Sequence, residues 1–144
     1  DSQNGKVKFT EATPASLKTI GMVTDAQWAD LDGDGDPDLA VSTDWGPVTI
    51  FQNNHGKLTN ASQAAGTAIL NGWWSSLHVV DIDADGDLDL VAGNAGLNTK
   101  YQKPTSTKPA ILYYGNMDGT GKARIVEAKS QKDKDRPLPV RGRS

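Results

Sequence analysis

Ten aspartates stand on alternate positions in two short stretches, and their spacing is that of ligands to a hard metal ion. The stretch "DLDGDGDPD" contains Asp30, Asp32, Asp34, Asp36 and Asp38. The stretch "DIDADGDLD" contains Asp81, Asp83, Asp85, Asp87 and Asp89. Carboxylates this close repel one another unless a cation neutralises them. Because the donors are all oxygens, without His or Cys, the pattern favours Ca²⁺ over zinc or copper. The sequence therefore predicts two bound calcium ions.

Each stretch reads D-x-D-x-D-G-x-x-D when it is numbered from its first aspartate. Carboxylates at positions 1, 3 and 5 converge as the chain curls around an ion, and the glycine at position 6 (Gly35, Gly86) permits the sharp turn. Position 7 (Asp36, Asp87) offers its backbone carbonyl while its own carboxylate faces solvent. Position 9 returns a carboxylate as the next strand begins, so all ten aspartates are predicted to belong to the two metal sites.

A calcium loop of the EF-hand or dockerin type begins in the same way and has to be considered. Such a loop needs a bidentate glutamate at position 12 and a helix on each side. Position 12 is Val41 in the first stretch and Ala92 in the second, and the flanking residues alternate with a period of two. The sequence therefore excludes the EF-hand interpretation.

A third, degenerate stretch follows in "NMDGTGKAR". Asn116, Asp118 and Thr120 stand at positions 1, 3 and 5, Gly121 at position 6 and Arg124 at position 9. The stretch keeps the turn glycine and loses most of the negative charge. We expect it to bind no ion, with the Arg124 guanidinium supplying positive charge near the vacant position.

The segments around the aspartates must be strands if they are to present the loops. Ala26 and Trp28 precede the first stretch on alternate positions, as Leu77 and Val79 precede the second, and this period of two predicts half-buried strands. A polar turn, "NNHG", separates two further strands. The aspartate stretches begin 51 residues apart, a period typical of propeller blades with four strands each.

The order strand, aspartate loop, strand resembles the FG-GAP/VCBS repeats of integrin-α-type β-propellers. It is most similar to bacterial FG-GAP-like proteins of the cartilage acidic protein/UnbV group, through "VTDAQWADLDGDGDPDLAV", "GWWSSLHVVDIDADGDLDLVAGNAGLNTKY" and "RPLPVRGR". The resemblance implies an all-β fold of antiparallel four-stranded blades, with Ca²⁺ in the loop between the first two strands of a blade. We expect about two full blades and a partial third, at 7–59, 60–107 and 108–144, and so an incomplete propeller.

Composition excludes several classes of function. The chain of 144 residues has a net charge of -3 and no cysteine, so disulfides and thiolate metal sites are ruled out. No apolar run is long enough to span a bilayer. Eight of the 15 basic residues follow position 121, but they lack interleaved aromatics, so we predict a solvated strand and loop there rather than a nucleic-acid interface.

The four tryptophans and two histidines are the remaining candidates for site residues. Trp28 lies on the apolar face of its strand and is predicted to be core. Trp45 is predicted to be exposed near a turn and is a candidate ligand contact. Trp73 and Trp74 are a separate candidate for a sugar-stacking platform, and the alternative is that they pack between blades. His55 and His78 have no nucleophile at a recognisable motif, so no enzyme activity is predicted.

The sequence leaves three functions open. The favoured one is a calcium-binding propeller segment that is secreted to the extracellular space, cell surface or periplasm and acts as a scaffold for adhesion, binding or assembly, with a protein or glycan ligand. The second is a carbohydrate-binding module, and the third is a noncatalytic propeller of a secreted polysaccharide-active enzyme. Fewer than three blades cannot close a ring, so we expect neighbouring blades of a larger propeller, or self-association into a ring or filament.

Overall fold

The computed structural model describes residues 2–3, 6–7, 11, 13–99, 101, 104–130 and 136–140. The elements in these ranges are β1 (Ser2–Gln3), β2 (Lys6–Val7), α1 (Ala15–Lys18), β3 (Met22–Ala29), β4 (Asp38–Gly46), β5 (Thr49–Asn54), β6 (Lys57–Asn60), β7 (Gly72–Val80), β8 (Asp89–Asn94), β9 (Ala110–Gly115), β10 (Arg124–Lys129) and β11 (Leu138–Pro139). No helix in the described part of the chain has the length and apolar character needed to cross a membrane. The predicted all-β fold class is confirmed.

The first blade is a four-stranded antiparallel sheet in the order β3-β4-β5-β6. The aspartate loop joins β3 to β4, and the predicted polar turn joins β5 to β6. In that turn His55 and Gly56 both have positive φ, 51° and 88°, and Asn54 pairs with Lys57 across it. Two left-handed residues give a turn whose twist matches that of the strands, so the turn fixes the register of the blade's outer hairpin.

The second blade begins with the hairpin β7–β8, which carries the second aspartate loop. Its pairing repeats that of β3–β4, including one shift in register. The shift lies between Val23 and Asp25 in β3 and at the equivalent place, between Trp74 and Ser76, in β7. The end of β4 also pairs with β7 through Asp44 and Trp73. Main-chain hydrogen bonds therefore run from the first blade into the second.

The core lies on both faces of β4. On one face Leu39, Val41 and the fully buried Phe51 form a cluster, against which Leu17 and Ile20 of the preceding segment pack. On the other face Ala40 and Val48 cluster with Leu77, and the flanking residues Leu31, Trp74, Leu90 and Ala92 pack against them. Because adjacent strand residues point to opposite faces, β4 is buried on both sides, and its second face holds the two blades together.

Trp28 is not part of this core, and the prediction for it was wrong. It pairs with Leu39 across β3 and β4 and so shares the face of the first cluster, yet it is 58% exposed. Leu17 and Ile20 cover the part of the face formed by β4 and β5. The side chains that β3 presents beside them remain at the surface.

The chain divides into two compact units, residues 1–94 and 95–144. The second unit contains a three-stranded antiparallel sheet in the order β11-β10-β9. The degenerate loop joins β9 to β10, as the intact loops join the first strands of the earlier blades. The predicted blade boundaries at 59/60 and 107/108 stay predictions. The basic tail begins with β10 and includes β11, and its residues 131–135 and 141–144 lie outside the described residues.

Candidate metal centre

Three carboxylates of the first loop come together beside the first blade. Asp30 directly follows β3, Asp38 is the first residue of β4, and Asp32 lies between them. One oxygen from each lies within 4.8 Å of the other two. The hairpin therefore brings the carboxylates at both ends of the loop, those of Asp30 and Asp38, close together. The loop between them places the carboxylate of Asp32 beside both.

The loop is shaped by hydrogen bonds to its own first aspartate. Asp30 Oδ1 accepts the N–H of Asp34 at 3.1 Å, and Asp30 Oδ2 accepts the N–H of Gly35 at 2.9 Å. Gly35 has a φ of 92°, a region that costs little only for glycine. Position 6 is thus a glycine because the turn that aims these N–H groups at Asp30 needs a left-handed residue.

Asp38 anchors the loop to the interior. Its side chain is 2% exposed. Asp38 Oδ1 accepts the N–H of Asn53 at 2.7 Å, and Oδ2 accepts the N–H of Leu31 at 3.0 Å. A buried carboxylate is costly unless hydrogen bonds or a counter-ion compensate its charge. The two backbone N–H groups supply part of that compensation and fix the orientation of Asp38 toward Asp30 and Asp32.

The second loop repeats this geometry. One oxygen from each of Asp81, Asp83 and Asp89 lies within 4.8 Å of the other two. Asp81 accepts the N–H groups of Asp85 and Gly86 at 3.2 and 3.1 Å. Asp89 Oδ2 accepts the N–H of Ile82 at 3.0 Å, the counterpart of the bond from Leu31 to Asp38. Two loops separated by 51 residues thus form the same three-carboxylate cluster.

The aspartates at positions 5 and 7 do not join the clusters. At position 5, Asp34 Oδ1 accepts the N–H of Asp36 at 2.8 Å, and Asp85 Oδ1 accepts the N–H of Asp87 at 3.0 Å. At position 7, the carboxylate of Asp36 was expected to face solvent, but its Oδ2 accepts the N–H of His55 at 2.7 Å. The first loop is therefore tied to the turn between β5 and β6.

The arrangement fits a calcium ion. Two oxygens that share one Ca²⁺ at about 2.3–2.6 Å lie no more than about 4.6–5.2 Å apart, and the three oxygens of each cluster, all within 4.8 Å of one another, are close enough to share one ion. Each cluster supplies three carboxylates where Ca²⁺ takes six to eight oxygens, so the remaining ligands would come from position 5, the carbonyl of position 7 or water. An oxygen-only site of this kind suits Ca²⁺ better than zinc or copper.

The third loop replaces the cluster with an ion pair. Arg124 Nε donates to Asp118 Oδ2 at 3.0 Å. The guanidinium therefore lies within the degenerate loop, where its positive charge was predicted. The Thr120 hydroxyl donates to Asp118 Oδ1 at 2.6 Å. This hydroxyl, the Thr120 N–H and the Arg124 guanidinium hold the pKa of Asp118 below its ordinary value. A guanidinium is thus the charged partner of the one remaining aspartate in this loop.

The candidate sugar-binding tryptophans lie where the two blades join. Trp45 is half-buried at the end of β4 rather than exposed, and its φ of 66° is unusual for a residue with a Cβ. Its ring centroid lies 5.9 Å from that of Trp73, with the planes tilted by 33°. Trp74 Nε1 donates to the carbonyl of Leu70 at 2.9 Å, and its ring packs between the blades as the alternative prediction held.

Sequence reasoning missed the residues that support the first loop from β5. Gln52 Nε2 donates to Asp32 Oδ2. Asn53 donates through Nδ2 to the carbonyl of Pro37 at 2.9 Å and accepts the N–H of Gly56 through Oδ1 at 2.9 Å. The signal for Asn53 was present in the stretch "FQNNHG", where a buried strand position is polar. An amide at such a position needs partners, and the nearest ones lie in the aspartate loop.

The fold and the paired loops define a class of protein, a propeller-type repeat domain with an aspartate loop between the first two strands of a blade. The family model for the FG-GAP-like repeat matches residues 2–41 and again residues 30–92, together more than half of the chain. The chain therefore belongs to the FG-GAP-like repeat family, as its resemblance predicted. Its closeness to the cartilage acidic protein/UnbV group stays a prediction. No curated protein and no solved structure matches the chain.

Proposed function

We propose that this chain is a calcium-stabilised propeller segment that binds one Ca²⁺ in each of its two intact loops. The observation that carries the proposal is the convergence of three carboxylates in each loop, with matching backbone hydrogen bonds to the first aspartate and to the last. An ion in each loop would remove the repulsion between these carboxylates and lock the hairpin that presents them.

The ion has a structural role in this proposal, and the chain is noncatalytic. Carboxylates that ligate a cation are held ionised and carry protons poorly, so the clustered aspartates are unsuited to acid–base chemistry. Sites of this kind in extracellular modules bind calcium with dissociation constants of about 10⁻⁴ to 10⁻³ M. Such affinities suit a secreted or cell-surface scaffold for binding or adhesion, where free calcium is millimolar.

Isothermal titration calorimetry tests the proposal directly. The wild-type chain should bind two Ca²⁺ ions, and Asp83→Asn should bind one, because it removes a carboxylate from one cluster. Asp87→Asn is the matched control, since it leaves the position 7 carbonyl in place and should still bind two ions. Wild-type protein that takes up no Ca²⁺ at millimolar concentrations would refute the proposal.

A carbohydrate-binding role is the second candidate. The ring pair of Trp45 and Trp73 supports it, because aromatic side chains are the usual stacking surface for sugars. The strained backbone at Trp45 also suits a functional position. A glycan array with the wild-type chain and Trp45→Ala decides between the two roles, since signals that Trp45→Ala abolishes would favour the carbohydrate-binding module.

A further inference from the structure

Asn71 and Gly72 stand next to each other at the point where the chain enters the second blade. Asn71 is exposed and directly precedes β7, and Gly72 is the first residue of that strand. An asparagine side chain that is followed by glycine can react with its own main chain, since glycine has no Cβ to keep its nitrogen away from the side-chain amide. The position therefore has the chemistry of a deamidation site.

The strand pairing places the Gly72 nitrogen at the end of a ladder. The pairing of β4 with β7 consists of Trp73 with Asp44 and Gly72 with Gly46. Gly46 is followed by Pro47, which has no N–H to donate, so the ladder stops at Gly72. Terminal pairs of a strand open far more readily than central ones. Opening of this last pair brings the Gly72 nitrogen within reach of the preceding side chain.

Asn60 shows the opposite case, an asparagine whose reacting groups are held by the fold. Its Oδ1 accepts the N–H of Ser62 at 3.0 Å. The N–H of the residue that follows it, Ala61, donates to the carbonyl of Ile50 at 2.8 Å. The side-chain amide and the next backbone nitrogen are thus both engaged in hydrogen bonds, which opposes the reaction between them. The chain therefore contains its own matched comparison for Asn71.

We propose that Asn71 deamidates spontaneously and that its isoaspartate product weakens the junction between the blades. The Gly72 nitrogen gives its proton to water or hydroxide and attacks Asn71 Cγ. A five-membered succinimide forms as the side-chain NH₂ takes up a proton and leaves as ammonia. Water then opens the ring at one of its two carbonyls, which gives aspartate or isoaspartate. The site is separate from both aspartate loops and does not depend on the calcium proposal.

The isoaspartate product adds one carbon to the main chain at a place that is closely packed. A Cβ at Gly72 would collide with Asn94 Nδ2 and would lie 3.1 Å from Trp74 Nε1, so the space beside the strand is already filled. Trp74 also packs against the cluster that joins the blades. The extra carbon therefore shifts Gly72 away from Gly46, and the pairing of β7 with β4 is lost first.

Peptide mapping of the full chain by mass spectrometry, after incubation at mildly alkaline pH, tests the site. Asn71 should convert at least about tenfold faster than Asn60, a ratio that corresponds to about 1.4 kcal/mol in activation free energy. Ala61→Gly is the matched control, because it gives Asn60 the same following residue in a held conformation. Asn60 should remain at least about tenfold slower than Asn71 in this variant. The mapping reads Asn4, which also precedes a glycine and lies outside the described residues, as a separate peptide.

Melting temperatures test the effect on the junction. Incubated wild type should melt at least about 2 °C below fresh protein, whereas Asn71→Gln should melt at the same temperature before and after incubation. Asn71→Asp adds the charge without the extra carbon and should melt close to fresh wild type.

Two results would overturn the proposed site: an Asn71 that stays intact, and an Asn60 that converts as fast as Asn71 in Ala61→Gly. Two others would overturn the effect on the junction. One is an unchanged melting temperature of wild type after Asn71 has converted, and the other is an Asn71→Asp variant that melts as low as the incubated protein.

Discussion

Asp25 Oδ2 accepts the backbone N–H of Leu77 at 2.8 Å, and this hydrogen bond joins β3 of the first blade to β7 of the second. The other oxygen, Oδ1, accepts the N–H of Ala26 at 2.8 Å. The N–H of Leu77, followed by that of Ala26, lowers the pKa of Asp25 below its ordinary value of 3.8. The ionised carboxylate is thus a link between blades that lies outside both aspartate loops.

The first prediction is that Asp25 makes the junction between the blades sensitive to acid. The pKa of Asp25 is lower in the folded state than in the unfolded state. The ionised carboxylate therefore contributes its full stabilisation at pH values above the ordinary pKa, and this stabilisation is lost as the pH falls through the pKa of the folded state. Asp25→Asn should therefore lower the melting temperature at pH 7, and its difference from wild type should shrink between about pH 5 and pH 2. Differential scanning calorimetry across this range measures both.

Glu11→Gln is the control for this effect. Contacts with Thr13, two residues away, also lower the pKa of Glu11, but they join no strands of different blades. We expect Glu11→Gln to leave the melting temperature close to that of wild type at pH 7. A constant difference between wild type and Asp25→Asn at every pH would show that the charge of Asp25 is not what stabilises the junction.

The second prediction concerns removal of calcium. At an ion concentration ten times the dissociation constant, each occupied site adds about 1.4 kcal/mol to the free energy of unfolding. Two sites are then a large part of the stability of a small domain. Thermal melts in millimolar calcium should lie above melts in excess EDTA, and Asp32→Ala should reduce the difference. Identical melting temperatures in the two conditions would contradict a structural role for the ion.

The third prediction separates the two position 9 aspartates. Asp38→Asn replaces one of the two buried carboxylate oxygens with an NH₂ group, so the side chain can accept the N–H of Asn53 or that of Leu31 but not both. It should cost about 1–3 kcal/mol even in EDTA. Asp89 is half-buried, so Asp89→Asn should lower stability mainly by weakening calcium binding. Its effect on the free energy of unfolding in EDTA should be much smaller than that of Asp38→Asn. Urea denaturation with and without calcium measures both, and equal losses in EDTA would contradict the anchoring role of Asp38.

The fourth prediction concerns position 4 of the loops. Gly33 has a φ of 74°, and Ala84, its counterpart in the second loop, has a φ of 60°. The left-handed conformation is unfavourable for alanine and easy for glycine. Ala84→Gly should therefore raise the free energy of unfolding by about 0.5–1 kcal/mol, and Gly33→Ala should lower it by a similar amount or more. Chemical denaturation of the pair measures both, and changes of the same sign would contradict the prediction.

The fifth prediction is that the degenerate loop can be converted into a metal site. Gly119 and Gly121 already have φ of 73° and 81°, so the backbone has the left-handed residues that the intact loops use. The double variant Asn116→Asp with Arg124→Asp removes the ion pair on Asp118 and places carboxylates at positions 1 and 9, so that this loop has the same three carboxylates as the two intact clusters. Calorimetry should then give three ions per chain. Arg124→Ala alone is the control and should stay at two.

The sequence was sufficient for the loops because their geometry is local. The alternation of aspartates, the glycine at position 6 and the period of two on either side fix a hairpin whose ends bring Asp30 and Asp38 together. The same reasoning gave the position of the Arg124 charge in the degenerate loop, but its pairing with Asp118 is seen only in the structure. In these places the hydrogen bonds that shape the structure join residues within a few positions of each other.

The contacts that the sequence did not predict cross between strands and blades. The bond from Leu77 to Asp25 spans 52 positions, and the bond from Asn53 to Asp38 depends on the register of β5 beside β4. Trp28 is predicted to be core because apolar residues alternate along its strand. This alternation shows which residues share a face of the sheet, but it does not show whether another element packs on that face. Leu17 and Ile20 cover only the neighbouring part of that face.

Strand β4 bonds to three partners: β3 pairs with residues 38–44, β5 pairs with residues 39–41, and β7 pairs with Asp44 and Gly46 at the end of the strand. Repeat proteins whose units touch only through side chains can lose their end units one at a time. Here the backbone amides of one strand hold both blades, so opening either blade must disturb the other. Hydrogen exchange should therefore find these amides among the slowest, in one cooperative unit that spans the two repeats.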